Sequence, residues 1–409
     1  MGIIFKMAWR NIWRNKRRTI ILLCAVSIGL IGMLFISGFM NGWMTQMLNN
    51  AVRQKSGHVA IMAKGFYSNP VVENHFTVTD KIKQAVENSP EVTGWTTQIV
   101  LNGLVNNADK SRFGTIIGAD TKREPEVFYP ARSIVEGRWL NPDDRYGIVV
   151  GHKLLETYNT KLGRKIVLMT QQFKGDVGSG AFHIIGVYRT ENNNYDESNV
   201  YITQQAAKEL ANLGDNQVTN LAMILENEYQ ADAVKERIST ELNDPQLEIL
   251  TWRQLQPMLR QTLEMMDQFN WITYLIFYIA MAFGILNTLL MAVNERYREI
   301  GIMIAIGTSR LRVVVMVAVE SLCIALVAVA IGDIIGVALV ELFHHTGMNL
   351  SLWSDALEGF NVGRIIYPYL GAGNIWNLSM WTFVFAMLSA IIPAFRAARF
   401  KPVEAIRTV

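Results

Sequence analysis

Four long apolar segments limit what this chain can fold into. Each has roughly the length of about 20 residues that a helix needs to cross the hydrocarbon core of a bilayer, and charged residues are rare in all four. Half of the 409 residues are hydrophobic, which is typical of a membrane protein with a sizeable water-exposed part. We therefore predict a membrane α-helical protein with four transmembrane helices, at residues 19–40, 271–293, 311–340 and 378–395.

The stretch 41–270 has a different composition. Charges recur every few residues, and no apolar run is long enough to span a bilayer. Short β-branched runs bounded by Gly, Asn or Asp predict strands at 57–63, 94–105, 113–119, 147–151, 165–170, 181–190 and 199–202. Helical patterns fall at 81–88, 153–158, 203–212 and 230–242, with Asp80 and Thr203 as N-caps. We predict a large extracytoplasmic α+β domain inserted between transmembrane helices 1 and 2, with stalk ends at 44–54 and 258–269.

Basic residues set the expected orientation. Residues 1–18 hold six Lys and Arg, the link 294–312 holds four and the tail 396–409 holds four, whereas the link 341–377 holds one. Because basic residues favour the cytoplasmic side, both termini and the 294–310 link are predicted to be cytoplasmic, and 341–377 extracytoplasmic. Trp9 and Trp13, four apart in the basic segment 1–18, predict an amphipathic helix on membrane lipids.

The link 294–310 is unusual for a cytoplasmic connection. Its apolar run, 300–306, is too short to span a bilayer and too apolar for a solvated loop. Tyr297, Ile300, Gly301 and Ile304 share one stripe at helical spacing. We predict a short amphipathic helix that binds either lipid headgroups or another protein.

A few residues inside the apolar segments stand out. Asp333 and Glu320 are carboxyl groups in the third segment, where a charge is costly and is usually paired or functional. We expect a structural role for Asp333, such as pairing across a helix interface, with a proton relay as the alternative. Two small-xxx-small pairs, Gly38 with Gly42 and Gly332 with Gly336, suggest close helix packing.

Sites of catalysis or metal binding do not emerge from the sequence. No G-x-x-x-x-G-K-[ST] motif occurs, so we predict no ATP-binding P-loop and no bound cofactor in this chain. His344 and His345 are adjacent rather than four apart, which disfavours a shared metal. Cys24 and Cys323 lie in separate apolar segments, and the glycines at 175–180 indicate a hairpin tip. We predict neither an enzyme nor a nucleic-acid partner.

Two motifs resemble a known family. The sequence ERYREIGIMIAIGT resembles the segment E-R-x-x-E-I-G-I-x-x-A-x-G-A of the FtsX/MacB/LolC-LolE class of ABC transporter permeases, the mechanotransmission type, and departs from it at Thr308, where the family often has a small residue. The end of the chain, PAFRAARFKPVEAIR, resembles the family ending, and AWRNIWRNKRRT resembles its basic opening. The layout of four spans and one large outer domain is similar to that of lipoprotein-releasing permeases.

The resemblance implies a set of partners. In such permeases the short helix between the second and third spans is a coupling helix, which docks on a cytoplasmic ABC ATPase dimer that binds ATP and Mg. In this chain the corresponding helix is 294–310. A second permease subunit, the same or homologous, completes the transporter in the inner membrane. The implied ATPase-coupling residues are Glu295, Arg296, Arg298, Glu299, Gly301, Ile302, Met303 and Gly307. Ile302 and Met303 would be apolar anchors, and Gly307 would end the helix, with Thr308 or Ser309 capping the next one.

The substrate stays open at this level. Release of lipoproteins from the inner membrane is the preferred expectation, and a stand-alone MacB-like exporter of peptides or small molecules is the alternative. A different class is a receptor or signalling anchor, whose 294–310 helix would lie on lipid only.

Overall fold

The computed structural model describes residues 16–353 and 362–400. It divides into two compact units. Among the described residues, the membrane unit comprises 16–45, 263–351 and 364–400, and the sheet unit comprises 46–262, 352–353 and 362–363. The predicted interfacial helix at 1–18 lies outside the described residues up to residue 15, as does the tail from residue 401.

The described helices and strands follow in chain order. The α-helices are α1 Lys16–Ala51, α2 Asp80–Glu87, α3 Glu124–Val127, α4 His152–Tyr158, α5 Asn193–Ser198, α6 Gln204–Ala211, α7 Ala231–Leu242, α8 Trp252–Leu255, α9 Pro257–Glu295, α10 Tyr297–Ala305, α11 Arg310–Thr346 and α12 Ala372–Ala398. The strands are β1 Val59–Ala63, β2 Phe76–Thr77, β3 Val92–Asn106, β4 Ser111–Ala119, β5 Ile134–Gly137, β6 Gly147–Gly151, β7 Lys165–Gln171, β8 Val177–Tyr188, β9 Asn199–Thr203, β10 Gln217–Val218, β11 Asn220–Leu225, β12 Leu247–Thr251, β13 Met348–Asn349 and β14 Ile365–Ile366. A π-helical turn, Val52–Ser56, follows α1.

Four helices, α1, α9, α11 and α12, are long and apolar enough to cross a membrane. They contain the four predicted segments and extend beyond them. Lys16–Arg18 form the first turn of α1 rather than part of a separate helix. Pro393 lies inside the fourth predicted segment, and α12 continues through it to Ala398. The continuation has a packing reason, since Ala394 and Ala397 after the proline are both buried.

The core of the membrane unit draws on all four long helices. Leu22, Val26 and Leu30 follow one another at four-residue spacing on α1 and are nearly inaccessible to solvent. They pack in one cluster with Ile285 of α9 and Ala328 of α11, among others. Because bilayer lipid is as apolar as these side chains, close packing rather than hydrophobic exclusion holds such helices together.

The four glycines predicted to mediate packing lie on the α1 and α11 helices. A Cβ at Gly332 would meet Leu30 Cδ2 at 3.0 Å, and one at Gly336 would meet Leu34 Cδ1 at 2.7 Å. Gly38 faces Val340 in the same manner. Gly42, however, faces the backbone of Tyr367 rather than a helix. The chain around Tyr367 lies close to α1, because Tyr369 N–H donates to the carbonyl of Gly38 at 3.1 Å.

The sheet unit is built on a ten-stranded, mainly antiparallel sheet. Its strand order is β12-β1-β11-β3-β4-β9-β6-β8-β5, with β7 paired to β3 and β8. The β4–β9 and β6–β8 pairs are parallel. All seven predicted strands are present, and all four predicted helices occur within one residue of the expected limits at either end.

Some local features of the sheet unit differ from the predictions. Three strands of the ten-stranded sheet, β5, β11 and β12, were missed; β11 is buried along its whole length, so its sequence NLAMIL carries little alternation. Asp80 was predicted to cap α2, but Thr79 does so, since its hydroxyl accepts the Ile82 N–H at 3.4 Å. Thr203 caps α6 as expected. The hairpin between β7 and β8 turns at residues 172–176, so Gly178 and Gly180 lie in β8 rather than at the tip.

Candidate coupling site

The helix α10 is set apart from its neighbours by breaks at both ends. Arg296, with φ −99° and ψ 16°, interrupts the helix between α9 and α10. After Ala305 the chain turns at Gly307, whose φ of +100° lies in the left-handed region that favours glycine. Thr308 N–H donates to the carbonyl of Met303 and Gly307 N–H to that of Ile304, which is the Schellman ending of a helix. Ser309 then caps α11 by accepting the Arg312 N–H.

One face of α10 packs on the membrane unit. Ile300 is 2% exposed, and Gly301 beside it is buried. Ile300 belongs to a buried apolar cluster, named the α10 cluster, whose other members are Val293, Val313, Val317, Ala394 and Ala397. The Tyr297 ring contacts the Phe400 ring edge-on, with 4.4 Å between centroids. The stripe recognised in the sequence therefore faces protein.

The opposite face of α10 is exposed. Arg298, Glu299 and Ile302 lie on it at spacings of one and three residues, and Ile302 is 43% exposed. Ile306, just beyond the helix, is 77% exposed. A short helix with buried apolar residues on one side and charged and apolar residues on the other offers a ready surface for a partner.

The predicted coupling residues divide between these two faces. Glu295 is exposed, as are Arg298, Glu299, Ile302 and Gly307. Gly301 is buried and Met303 is half-buried against the α10 cluster, so neither is freely presented to a partner. Arg296 is turned inward, with its side chain only 11% exposed.

Arg296 contributes to a buried charge cluster centred on Glu320. One carboxylate oxygen of Glu320 accepts from Arg296 Nη1 at 2.8 Å, and the other accepts from Arg18 Nη2 at 2.9 Å. The three side chains are between 7% and 11% exposed. Arg18 also lies 4.0 Å from Glu295. The cluster joins the start of α1, the residue before α10 and the third turn of α11.

Arg18 was not predicted to belong to this site. It counted only as one of six basic residues in the N-terminal segment. The available signal was Glu320 itself, because a carboxylate ten residues inside an apolar helix requires a cation. The sequence did not say which of the basic residues supplies it.

Asp333 has a partner on another helix. Ser379 of α12 donates its hydroxyl proton to Asp333 Oδ1 at 2.5 Å, and the same hydroxyl contacts the carbonyl of Ile375. The contact joins α11 to α12. Asp333 and Glu320 therefore take part in different interhelical contacts.

The described residues contain no group of three or more His, Cys, Asp and Glu arranged to hold a metal ion. His344 contacts the carbonyl of Pro368 through Nδ1 at 2.9 Å. Among described residues the two cysteines are free thiols.

Comparison with protein families agrees with this geometry. A family described as MacB-like periplasmic core domain matches residues 19–241, and a family described as FtsX-like permease C-terminal matches residues 271–402. Four long apolar helices and the short helix α10 thus occur in a chain of the ABC transporter permease class. The chain belongs to the family of permeases with a MacB-like periplasmic core domain and an FtsX-like C-terminal region. The resemblance drawn from the sequence motifs is confirmed.

Individual relatives are distant in sequence. An ABC transporter permease of Methanocaldococcus jannaschii is 22% identical, with 99% of this chain and 97% of that protein aligned. The lipoprotein-releasing system transmembrane protein LolE of Haemophilus influenzae is 19% identical, with 99% of each chain aligned. The macrolide export ATP-binding/permease protein MacB of Acinetobacter baylyi is 21% identical, and the alignment covers 83% of this chain and 52% of MacB. This chain thus spans about half the length of that MacB.

These findings define the protein's general character. It is a multi-pass bacterial inner-membrane permease with an extracytoplasmic domain. Permeases of this kind work with ATP-binding cassette partners.

Proposed function

We propose that this chain is the permease subunit that couples ATP hydrolysis by a separate ABC ATPase dimer to movement of its extracytoplasmic domain. The observation that carries the proposal is the two-faced helix α10. Its inner face is fixed by the buried Ile300, and its outer face presents Arg298, Glu299 and Ile302. Helix-in-groove docking uses such a surface, with an apolar anchor flanked by charges.

The orientation follows from the basic residues. With both termini and α10 on the cytoplasmic side, the sheet unit, inserted between the first and second long helices, lies outside the membrane. The ATPase would then meet α10 in the cytoplasm. ATP and Mg²⁺ would be held by the ATPase, and no residue of this chain is assigned to them.

The Glu320 cluster supplies a mechanical link for coupling. Arg296 immediately precedes α10, and Arg18 lies at the start of α1. A displacement of α10 would therefore pass from Arg296 through the Glu320 carboxylate to Arg18. α1 and α9 are covalently continuous with the extracytoplasmic domain. Movement at the ATPase thereby reaches that domain along the helices.

Lipoprotein release is the substrate function we favour. The alignment with LolE covers 99% of both chains, which matches the whole layout of a lipoprotein-releasing permease. In that arrangement a second permease subunit, identical or homologous, completes the transporter. The alternative is MacB-like export of peptides or small molecules, which the match to the MacB-like core domain favours.

The coupling proposal is tested by charge and polarity changes on the exposed face of α10. In Glu299→Arg and Ile302→Glu variants, we expect loss of ATPase co-purification and of permease-stimulated ATP hydrolysis. Matched controls are Glu236→Arg and Val177→Glu, two exposed positions of the sheet unit. Normal coupling in both α10 variants would refute the proposal, and it would favour a receptor or anchor whose α10 contacts lipid only.

The substrate proposal needs a separate measurement. Spheroplasts depleted of this permease should retain lipoproteins that the wild-type chain releases. If lipoprotein release is unchanged while a peptide or macrolide accumulates in the depleted cells, the export alternative is correct.

A further inference from the structure

The sheet unit contains a cavity of about 690 Å³. Its floor is one face of the sheet, formed by residues of β1, β3, β4 and β11. Its walls are the end of α1 with the π-helical turn, the loop after β1, and α8 with the first turns of α9. The volume lies within the range of roughly 300–1,000 Å³ that is usual for sites binding one small molecule.

Most of the lining is apolar and adaptable. Met47, Met62 and Met258 contribute flexible thioether side chains, and Phe66, Val100 and Leu255 add apolar surface. Methionine-rich linings adapt to ligands of variable shape, because the side chain is unbranched and polarisable. Met258 is 82% exposed, which places it at the open side.

The amide side chains of the cavity lining donate hydrogen bonds to protein acceptors. Asn220 donates to Gln98, and Gln98 donates to Glu124. Asn102 donates to the carbonyl of Pro70, and Gln256 donates to the carbonyl of Ala51. Asn199 donates to the carbonyl of Tyr195. These hydrogen bonds hold the amide donors of the lining to protein acceptors, while Asn220 Oδ1 is buried without a hydrogen-bond partner among the described residues.

Lys55 differs from the other described lining residues in its charge. Among the described residues that line the cavity it alone carries a charge, and it is exposed in the π-helical turn. Within the described parts of the chain, the lining contains no carboxylate. An apolar interior with a single ammonium group matches a ligand that has an apolar body and an anionic end. If the anionic end of the ligand lay elsewhere in the cavity, it would lack a counter-charge and would be costly to desolvate.

We propose that this cavity binds a single-chain anionic amphiphile, with its alkyl chain over β3 and its anionic head at Lys55. The inference goes beyond the proposed function. Binding at this cavity requires no ATPase, so its failure leaves the coupling proposal intact, and the reverse also holds.

The test uses the full chain in phosphatidylcholine nanodiscs without ATPase. The probe is a palmitate analogue with a photoreactive diazirine in the alkyl chain, and labelled peptides are located by mass spectrometry. We expect saturable labelling within residues 47–70, 98–117 or 255–262. Unlabelled palmitate and lysophosphatidylglycerol should compete, and hexadecanol, which lacks the charge, should compete about tenfold more weakly, a difference of about 1.4 kcal/mol.

Two variants and two controls make the result specific. Lys55→Glu should lower labelling about tenfold, and Val100→Trp should do so by filling the cavity. Lys161→Glu is the exposed charge control. Leu104→Trp is the steric control, on the same face of β3 but outside the cavity lining. Because Lys55 is exposed, its substitution tests the proposal even if Val100→Trp disturbs folding.

Some outcomes would overturn the proposal. Labelling confined to residues 16–46, 263–295, 310–346 and 372–398, the parts of the four long apolar helices outside the cavity lining, would show that the probe only partitions into lipid. Equal labelling of Lys55→Glu and wild type, or equal competition by hexadecanol, would rule out recognition of an anionic head.

Discussion

Glu320 Oε2 accepts a hydrogen bond from Arg296 Nη1 at 2.8 Å, and this contact ties the residue before the short helix α10 to the long helix α11. The second oxygen of the same carboxylate binds Arg18 of α1 at 2.9 Å. One acidic side chain thus neutralises part of the charge of two buried guanidinium groups. Removing a buried partner is costlier than never having had the pair, because the remaining charges stay desolvated.

Loss of the Glu320 charge should destabilise the membrane unit. We expect Glu320→Gln to lower the free energy of unfolding by roughly 3–5 kcal/mol, since two arginines would then lack their buried counter-charge. Unfolding is measured in detergent by titration with a denaturing surfactant. The control is Glu341→Gln on the same helix, where the carboxylate is 64% exposed and a change of at most about 1 kcal/mol is expected. Equal effects of the two substitutions would contradict a role for the cluster.

The two faces of α10 should respond differently to truncation. Ile300→Ala should lower the free energy of unfolding by roughly 2–5 kcal/mol, because Ile300 is buried in the α10 cluster. Ile302→Ala should change it by no more than about 0.5 kcal/mol, since Ile302 is exposed. ATPase stimulation should nevertheless fall in Ile302→Ala. A stable, fully coupled Ile302→Ala protein would remove Ile302 from the docking surface.

Gly307 should resist substitution for a backbone reason. Nothing lies within 4 Å of the Cβ that an alanine would add, so the cost of Gly307→Ala comes from φ +100° alone. We expect a loss of about 1–2 kcal/mol, measured by thermal unfolding of the full chain. Gly284→Ala is the matched control, because Gly284 lies inside helix α9 and also has open space around its Cβ. That variant should lose no stability, and if it loses as much as Gly307→Ala, backbone strain is not the cause.

Glu124 should make the stability of the sheet unit depend on pH. Burial raises the pKa of Glu124 from 4.5 to about 8, although hydrogen bonds from Gln98 and Thr96 act in the opposite direction. Between these two pKa values the folded state keeps a proton that the unfolded state has lost. Stability therefore falls as pH rises from about 4.5 to about 8 and is level above that.

The Glu124→Gln variant isolates this effect. Glutamine cannot ionise, so the variant should lack the fall in stability and should exceed wild type by a few kcal/mol at pH 8. Hydrogen exchange of β3 amides in the full chain, followed from pH 5 to pH 8 and corrected for intrinsic exchange rates, provides the measurement. Glu126→Gln, an exposed change on the same short helix, should behave as wild type. Parallel pH profiles for wild type and Glu124→Gln would be evidence against the raised pKa.

Much of the fold was predictable because its signals are local. An apolar run long enough to cross a bilayer predicts a helix from its own residues, and so do the short β-branched runs that became β1, β3 and β4. The missed strand β11 illustrates the limit. It is buried on both faces, and a short apolar run without alternation does not distinguish a strand from a helix.

The candidate site was predictable in part. The spacing of Ile300 and Gly301 identified the stripe of α10, and Gly307 identified its end. The direction of Arg296 was not predictable, since its partner Glu320 lies 24 residues along the chain on another helix. Arg298, two residues later, has the same charge in the sequence but points to the exposed side.

By itself, the sequence determined the four apolar helices, the inserted α+β domain and the amphipathic helix between the second and third spans. These depend on residue type and on spacings of two to four residues, which are properties of a short stretch of chain. Only the tertiary structure decided that Arg18 reaches Glu320, 302 positions away, and that segments from residue 47 to residue 262 enclose one cavity. Both depend on which distant residues the packing brings together, and local periodicity contains no information about that choice.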